Sequence, residues 1–237
     1  MIGFLSRDFP LEEYKALVRV SSRDQLLGNQ PHANGWGYFI FMYRANSWSY
    51  ITYKSPLPIY EDEIYVPRAE KYIGLIHSRR SSKKFLKGVQ HSHPYLIKID
   101  SYEIALAHNG SVQREAFKEL AREPYTDSYL ILLLLKDKIH RGRNPEEALK
   151  ELVYELGNKA TSLNILLLVY TPSSGPSLCY SSFYNPNRIR EEEMYYKMYL
   201  AKEANRTIIA SSSIALNINL NWKEINNGDC KCIQFDN

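Results

Sequence analysis

The chain has 237 residues, of which 44% are hydrophobic and 24% are charged. These fractions are ordinary for a globular protein and exclude a disordered chain, a collagen-like chain and a small disulfide scaffold. The 30 basic and 26 acidic residues leave a net charge of +4, which is too balanced to indicate nucleic-acid binding.

The cysteines and the apolar runs indicate the cellular location of the protein. Cys179, Cys230 and Cys232 are an odd and sparse set, which is typical of reduced thiols in an intracellular protein. No apolar run approaches the roughly 20 residues that span a bilayer, and the N-terminus lacks a signal-peptide pattern. We therefore expect a cytoplasmic protein with neither a membrane nor a nucleic acid as partner.

The first half of the chain predicts short strands and one helix. Apolar, aromatic and β-branched runs predict strands at 1–5, 36–43, 48–53, 72–77 and 104–107. Asn46 separates two of these runs and indicates a hairpin, whereas Asn109-Gly110 ends the last run in a turn. Apolar residues at helical spacing after Pro10 predict a helix over 10–20.

The second half predicts two helices followed by more strands. One helix begins near Asp127, and a second begins at Asn144-Pro145 and ends before Gly157. Strands are expected at 164–170, 178–183 and 207–210. Segment 191–204 has helical propensity, but its apolar residues also alternate, and we predict a hairpin there.

The order of strands, two helices and strands predicts an α+β fold rather than a parallel βαβ sheet. The chain shows no internal repeat and no linker. We therefore expect a single domain over 1–237.

Several polar residues stand where chemistry is possible, although each has a purely structural alternative. His77, His91, His93 and His108 could bind a metal, but the cluster lacks a carboxylate at ligand spacing, so we expect no metal and no cofactor. The run of basic residues after His77 reads as a solvated loop, except that Arg79, just beyond a strand end, could grip a carboxylate.

Two further features carry the same double interpretation. Asn109-Gly110 is either a plain turn or an oxyanion hole made of a side-chain amide and the next backbone N–H. Asp127 is either the N-cap of a helix or the acceptor of a substrate ammonium group.

These features form an ordered set of motifs. In chain order they are an apolar N-terminal stub, NGWG at 34–37, HSRRSS at 77–82, HSHPY at 91–95, AHNGSV at 107–112, TDS at 126–128, IIASSSIAL at 208–216 and NWKEINNGDCKCI from 221. The set resembles the glutaminase domain of class II glutamine amidotransferases, which are N-terminal-nucleophile hydrolases, and in particular the stand-alone members. The resemblance covers nearly the whole chain.

The resemblance implies a fold and a role for each matched residue. The implied fold is a four-layer αββα sandwich of two antiparallel sheets, with strands over 195–200. Arg79 matches the residue that binds the substrate α-carboxylate, and Asp127 matches the acceptor of the α-ammonium group. The remaining matches are Asn109 and Gly110 as the oxyanion hole, Ser82 in place of a substrate-contacting Thr, and His77, His93 and His108 as residues that brace the site.

The chain departs from this family at the nucleophile. The family uses a cysteine at position 2, which becomes the first residue after Met removal, with its own α-amine as the base. Here Ile2 occupies that position, and an alkyl side chain cannot attack an amide. Neither Ser6 nor the three cysteines match the nucleophile, so the sequence leaves open whether the chain is an enzyme.

Three explanations stay open. The chain is a natural pseudo-glutaminase that binds an amino acid or γ-glutamyl compound, an engineered variant that traps substrate, or an enzyme with an unrecognised nucleophile. The ligand implied is glutamine or a γ-glutamyl small molecule, and the implied partner is a synthetase or a second copy of the chain. The alternative function is a non-catalytic module that binds an amino acid or regulates a partner.

Overall fold

A computed structural model describes residues 1–81, 88–99 and 102–235 of the protein. Its strands are β1 (Ile2–Ser6), β2 (Trp36–Arg44), β3 (Ser47–Ser55), β4 (Lys71–Ser78), β5 (Tyr95–Ile99), β6 (Tyr102–Asn109), β7 (Asn164–Thr171), β8 (Gly175–Ser181), β9 (Met198–Glu203), β10 (Arg206–Ser211), β11 (Lys223–Glu224) and β12 (Cys230–Ile233). Its α-helices are α1 (Leu11–Ser22), α2 (Asp127–His140), α3 (Pro145–Leu156), α4 (Glu193–Tyr196) and α5 (Ser212–Ala215). Short 3₁₀ segments lie at Gln25–Leu27, Ile59–Glu61, Val89–His91, Arg114–Arg122 and Gly157–Lys159.

Within these described ranges the strands form two antiparallel sheets. The larger sheet has seven strands in the order β11-β9-β10-β1-β4-β2-β3, and the smaller one has five in the order β12-β8-β7-β6-β5. Strand β1 therefore lies inside the larger sheet, with Ile2 opposite Ala210 on β10 and opposite Ile76 on β4. The start of β1 is held between the ends of two antiparallel neighbours.

The alternation of side chains along β1 divides the protein into layers. Met1 and Leu5 face the apolar core between the two sheets, where Leu166 and Leu178 of the smaller sheet meet them. Ile2 faces the opposite side of its sheet, in a core that is covered by α1. Helices α2 and α3 cover the outer face of the smaller sheet. The arrangement confirms the α+β prediction and the αββα sandwich.

Helix α3 and the first hairpin confirm two predictions that rest on local sequence signals. Asn144 accepts a hydrogen bond from the Glu147 N–H at 2.9 Å, while the Glu147 carboxylate accepts one from the Asn144 N–H at 3.2 Å. This reciprocal capping box, followed by Pro145, starts the helix. Between β2 and β3, Ala45 and Asn46 have φ values of 50° and 60°, as a two-residue hairpin turn of the primed type requires.

Two details of the predicted elements were wrong. Residues 195 and 196 belong to the single helical turn α4, and the predicted strand begins only at Met198. The hairpin of β9 and β10 is confirmed beyond that turn. Strands β5, β11 and β12 are absent from the predicted elements, although in the YLIKI sequence of β5 only Lys98 is not apolar.

The expectation of reduced cysteines is also wrong for one pair. Strand β12 pairs with β8 in a register that sets Cys232 opposite Cys179, and the two form a disulfide. Cys230 is free and buried. The pairing follows from strand register, which the spacing of cysteines along the sequence does not reveal. In the described part of the chain, no helix has the length and apolarity that crossing a membrane needs.

Candidate active site

A cavity of about 1030 Å³ opens where both sheets end. It is lined by Met1 before β1, Arg79 after β4, Asn109 and Gly110 at the end of β6, and Asp127 at the start of α2. Because β1 and β4 are antiparallel, the start of one lies beside the end of the other. The topology thus brings together residues that are far apart in the sequence.

Arg79 forms a fixed positive charge in the wall of this cavity. Its backbone N–H donates to the Gly35 carbonyl at 2.8 Å, and its carbonyl accepts from the Asn34 N–H at 2.9 Å. The residue is only 9% exposed. Burial lowers the pKa of the guanidinium, while Tyr95 and Asp127 act in the opposite direction. An arginine stays protonated at neutral pH, so this cation can bind a carboxylate.

Asp127 provides the opposite charge. Its Oδ2 accepts from the Val112 N–H and its Oδ1 from the Ser128 N–H, each at 2.9 Å. The interpretation of Asp127 as the N-cap was wrong, because Thr126 caps α2 by accepting from the Tyr129 N–H. Asp127 is the first helical residue, where the helix dipole stabilises a carboxylate. A fixed cation and a fixed anion therefore line one cavity.

His77 orients the side chain of Asn109. The His77 Nε2–H donates to Asn109 Oδ1 at 2.8 Å, and His93 Nδ1 lies 3.3 Å from the same nitrogen. Burial holds the pKa values of both histidines well below the usual range, so both rings are neutral. With its oxygen engaged by His77, Asn109 keeps its Nδ2 amide as the donor for the cavity. An amide donor at this position is compatible with the oxyanion-hole interpretation, which stays a prediction.

Gly110 is a position that only glycine fits. Its φ is +144°, and a Cβ added there would lie 2.0 Å from the carbonyl oxygen of Ser162. No side chain is compatible with that approach. The glycine lets the chain turn sharply after Asn109 while the Ser162 hydroxyl donates to the Asn109 carbonyl at 2.9 Å.

His108 is buried at the end of β6. Its Nε2 donates to the Ser162 carbonyl at 3.1 Å, because a carbonyl can only accept. Burial lowers the pKa of the ring, so its Nδ1 is unprotonated and accepts from the Ser128 hydroxyl at 3.0 Å. His108 therefore joins the end of β6 to the start of α2.

The α-amine of Met1 lies at the cavity, whereas the Met1 side chain packs in the core between the sheets. Ile2 is fully buried in the core beneath α1, together with Phe4 and Trp36. The Met1 α-amine donates to Ser211 Oγ at 3.2 Å, and burial lowers its pKa to about 5, opposed by Asp24. An amine with this pKa is neutral at pH 7.

The structure does not describe every residue that the sequence analysis singled out. Ser82 lies outside the described residues, as do the lysines of the basic run after Arg80. Among the residues that are described, no three His, Cys, Asp or Glu side chains gather as a metal-binding group would.

Several cavity residues were missed by sequence reasoning. Asp24 is buried and accepts hydrogen bonds from the hydroxyl of Ser213 and from His32 Nε2. The other lining residues that were missed include Arg114, Lys159, Arg188, Arg190 and Tyr195. No motif marks these positions, and they reach the cavity only because separate loops meet there.

Comparison with known proteins supports the fold. No protein-family model matches the chain, and a search of curated proteins finds no match. The structure of the allosteric regulatory enzyme of purine biosynthesis aligns with a TM-score of 0.58 and 15% identity, over 99% of this chain and 49% of that one. This chain thus spans about half the length of that enzyme.

A second structure is described as a predicted glutamine amidotransferase from Pseudomonas aeruginosa. It aligns with a TM-score of 0.48 and 17% identity, over 98% of this chain and 92% of that one. At such identities the likeness to the purine-biosynthesis enzyme establishes a shared fold, and function has to be argued from the site.

Proposed function

We propose that this protein is a class II glutamine amidotransferase-like protein that binds glutamine or a γ-glutamyl amide and does not hydrolyse it by the thiol route. The observation that carries the proposal is the pairing of Arg79 with Asp127 in the wall of one cavity. An α-amino acid presents one carboxylate and one ammonium group on the same carbon. A buried cation and a fixed carboxylate are complementary to that pair of charges.

The amide end of such a ligand fits the second part of the site. Asn109 offers an amide donor whose orientation is set by His77, and Gly110 follows it in a conformation that keeps the backbone close to the cavity. Donors arranged in this way bind a carbonyl oxygen and stabilise it further when it becomes negative. The site therefore has a polar contact for each end of glutamine.

The described residues of the site include no thiol that could act as the nucleophile. Ile2 is an alkyl residue packed in the core beneath α1, and the thioether side chain of Met1 packs in the core between the sheets. Cys179 and Cys232 are bonded to each other on the smaller sheet, and burial raises the pKa of the Cys230 thiol. These observations support binding without thiol chemistry.

Calorimetric titration with L-glutamine tests the binding proposal. Arg79→Gln removes the cation, whereas Asp127→Asn removes the anion but keeps an oxygen that can accept from Val112. Loss of a charged hydrogen-bonded contact costs about 1.5–3 kcal/mol, so each variant should bind roughly 10- to 100-fold more weakly. Arg44→Gln, at the exposed end of β2, is the matched control and should bind as the unmodified chain does.

Ammonia release tests the second half of the proposal. The unmodified chain should release none from glutamine. Ile2→Cys and Met1→Cys, each expressed so that the new cysteine becomes the first residue, show which position can supply a nucleophile. Steady release by the unmodified chain that Ser211→Ala abolishes would replace the binding role with a hydrolase that uses the Ser211 hydroxyl beside the α-amine.

The resemblance also extends the proposal to an assembly. A synthetase or a second copy of the chain is the implied partner, and light scattering with size-exclusion chromatography measures the self-association directly. A concentration-independent monomer would remove the second copy from the proposal.

A further inference from the structure

The cavity is also lined by cations that form no ion pair with a carboxylate of the described residues. Arg114, Lys159, Arg188 and Arg190 all line it. Over residues 1–81, 88–99 and 102–235, no ion pair joins any of these four to an acid. Glu115 and Glu191 line the same cavity without forming an ion pair with any of the four. Cations without such a partner among the described residues attract an anionic ligand.

Three loops present these cations together because the loops are hydrogen-bonded to one another. The Ser111 N–H donates to the Thr161 hydroxyl at 2.9 Å, and the Gln113 N–H donates to the Lys159 carbonyl at 2.9 Å. The Asn185 N–H donates to the Thr161 carbonyl at 2.9 Å. The loops that carry Arg114, Lys159 and Arg188 are thereby joined, and the first of them directly follows Gly110 in the chain.

Arg114 is held rigidly in this arrangement. Its Nε donates to the Ala121 carbonyl at 2.8 Å and its Nη1 to the Tyr125 carbonyl at 2.5 Å. Carbonyl groups fix the guanidinium but leave its charge in place. A guanidinium that is already positioned loses little conformational freedom when an anion binds. Arg188 is half-buried and lines the same cavity.

The cavity is also larger than one amino acid requires. Its volume of about 1030 Å³ lies at the upper end of the range of about 300–1000 Å³ that holds drug-sized ligands. Arg79, Asp127 and Asn109 account for the groups of a glutamyl unit. The cations on the joined loops line the same cavity in addition to these three residues.

We propose that the ligand is a γ-glutamyl amide whose amine portion carries a second anionic group, a carboxylate or a phosphate, bound by Arg114, Lys159 and Arg188. This inference rests on the proposed function, since the glutamyl half of the ligand is bound by Arg79 and Asp127. It adds a recognition site for the amine portion of the bound amide, and it makes free glutamine a poorer ligand than an anionic γ-glutamyl conjugate.

Three γ-glutamyl amides of similar size test the proposal by calorimetry. They are γ-glutamylethylamide, which has a neutral amine portion, γ-glutamylglycine, which ends in a carboxylate, and γ-glutamyl-O-phosphoethanolamine, which ends in a phosphate. One charge-assisted contact corresponds to about 10-fold in affinity, so at least one anionic ligand should bind about 10-fold more tightly than the ethylamide. The tighter of the two anionic ligands identifies the chemistry of the second group.

Two variants test whether Arg114 and Arg188 cause the preference for anionic amides. Arg188→Gln leaves the contacts of Arg114 intact, and with Arg114→Gln it should bring the anionic and neutral ligands to within about 2-fold of each other. Arg44→Gln should leave the preference unchanged. Arg114→Gln removes two hydrogen bonds to backbone carbonyls and could therefore disturb the loop. For this reason Arg188→Gln alone must already reduce the preference for the anionic amides. Circular dichroism checks that Arg188→Gln is folded.

The outcomes separate this inference from the proposed function. Binding of glutamine and all three amides with equal affinity overturns the anion site and keeps the glutamyl site. Binding of none overturns both. A preference for the anionic amides that persists in Arg188→Gln and in the double variant also overturns the assignment to these loops.

Discussion

Gly110→Ala tests the geometry on which the oxyanion-hole interpretation depends. The added methyl would lie 2.0 Å from the Ser162 carbonyl oxygen and 2.7 Å from the Ser162 Oγ and carbonyl carbon. These contacts involve backbone, so the clash can be relieved only if the end of β6 or the Ser162 segment moves. The residue would also have to hold a φ of +144°.

The expected magnitude is the sum of two effects. An unfavourable φ costs of order 1–3 kcal/mol, and forcing an extra carbon into a packed site typically costs about 1–3 kcal/mol more. Gly110→Ala should therefore lower the free energy of unfolding by about 2–6 kcal/mol. Displacement of Asn109 should at the same time weaken glutamine binding.

Gly142→Ala is the matched control because it separates the two effects. Gly142 has a φ of +91° with no atom within 4 Å of its added Cβ, so it carries the conformational cost without the clash. Urea denaturation of both variants measures the difference. If Gly110→Ala proves no more destabilising than Gly142→Ala, the close approach of Ser162 to Gly110 is refuted.

Three further predictions concern stability and covalent structure. Burial lowers the pKa values of His77 and His93, so the unfolded chain takes up protons below about pH 6.5 that the folded chain does not. The free energy of unfolding, measured in urea, should therefore be greatest above that pH and decline towards pH 5. The decline should be less steep in His93→Gln. An equal dependence on pH in the two proteins would contradict the assignment of His77 and His93 as neutral. Asn144→Ala removes the capping box and should lower the free energy of unfolding by about 1 kcal/mol, measured by thermal unfolding. An unchanged free energy would show that the capping box does not stabilise the protein. Non-reducing digestion should yield one peptide pair crosslinked through Cys179 and Cys232, and only free thiols would contradict it.

The fold could be predicted where the local signal and the tertiary structure agree. The apolar stub at the N-terminus, the hairpin around Asn46 and the cap at Asn144 all have mechanisms that act within a few residues. At Glu193–Tyr196 the local helical propensity prevailed in one turn, and the alternation that predicted a strand applies only from Met198.

The site could be predicted only as far as motifs mark it. Arg79, Asn109 and Asp127 belong to motifs and do line one cavity. Asp24 and Arg114 carry no motif, and their position depends on loops that meet through long-range hydrogen bonds. The direction in which Ile2 faces depends on the pairing of β1 with β4 and β10, which no local pattern states.

Calorimetric titration of the unmodified chain and of Arg79→Gln with L-glutamine tests the central claim most directly. The account predicts saturable binding to the unmodified chain with one ligand per chain, and affinity reduced by roughly 10- to 100-fold in the variant. Equal affinity in the two proteins, or no binding to the unmodified chain, would contradict the assignment of this cavity as a glutamine site.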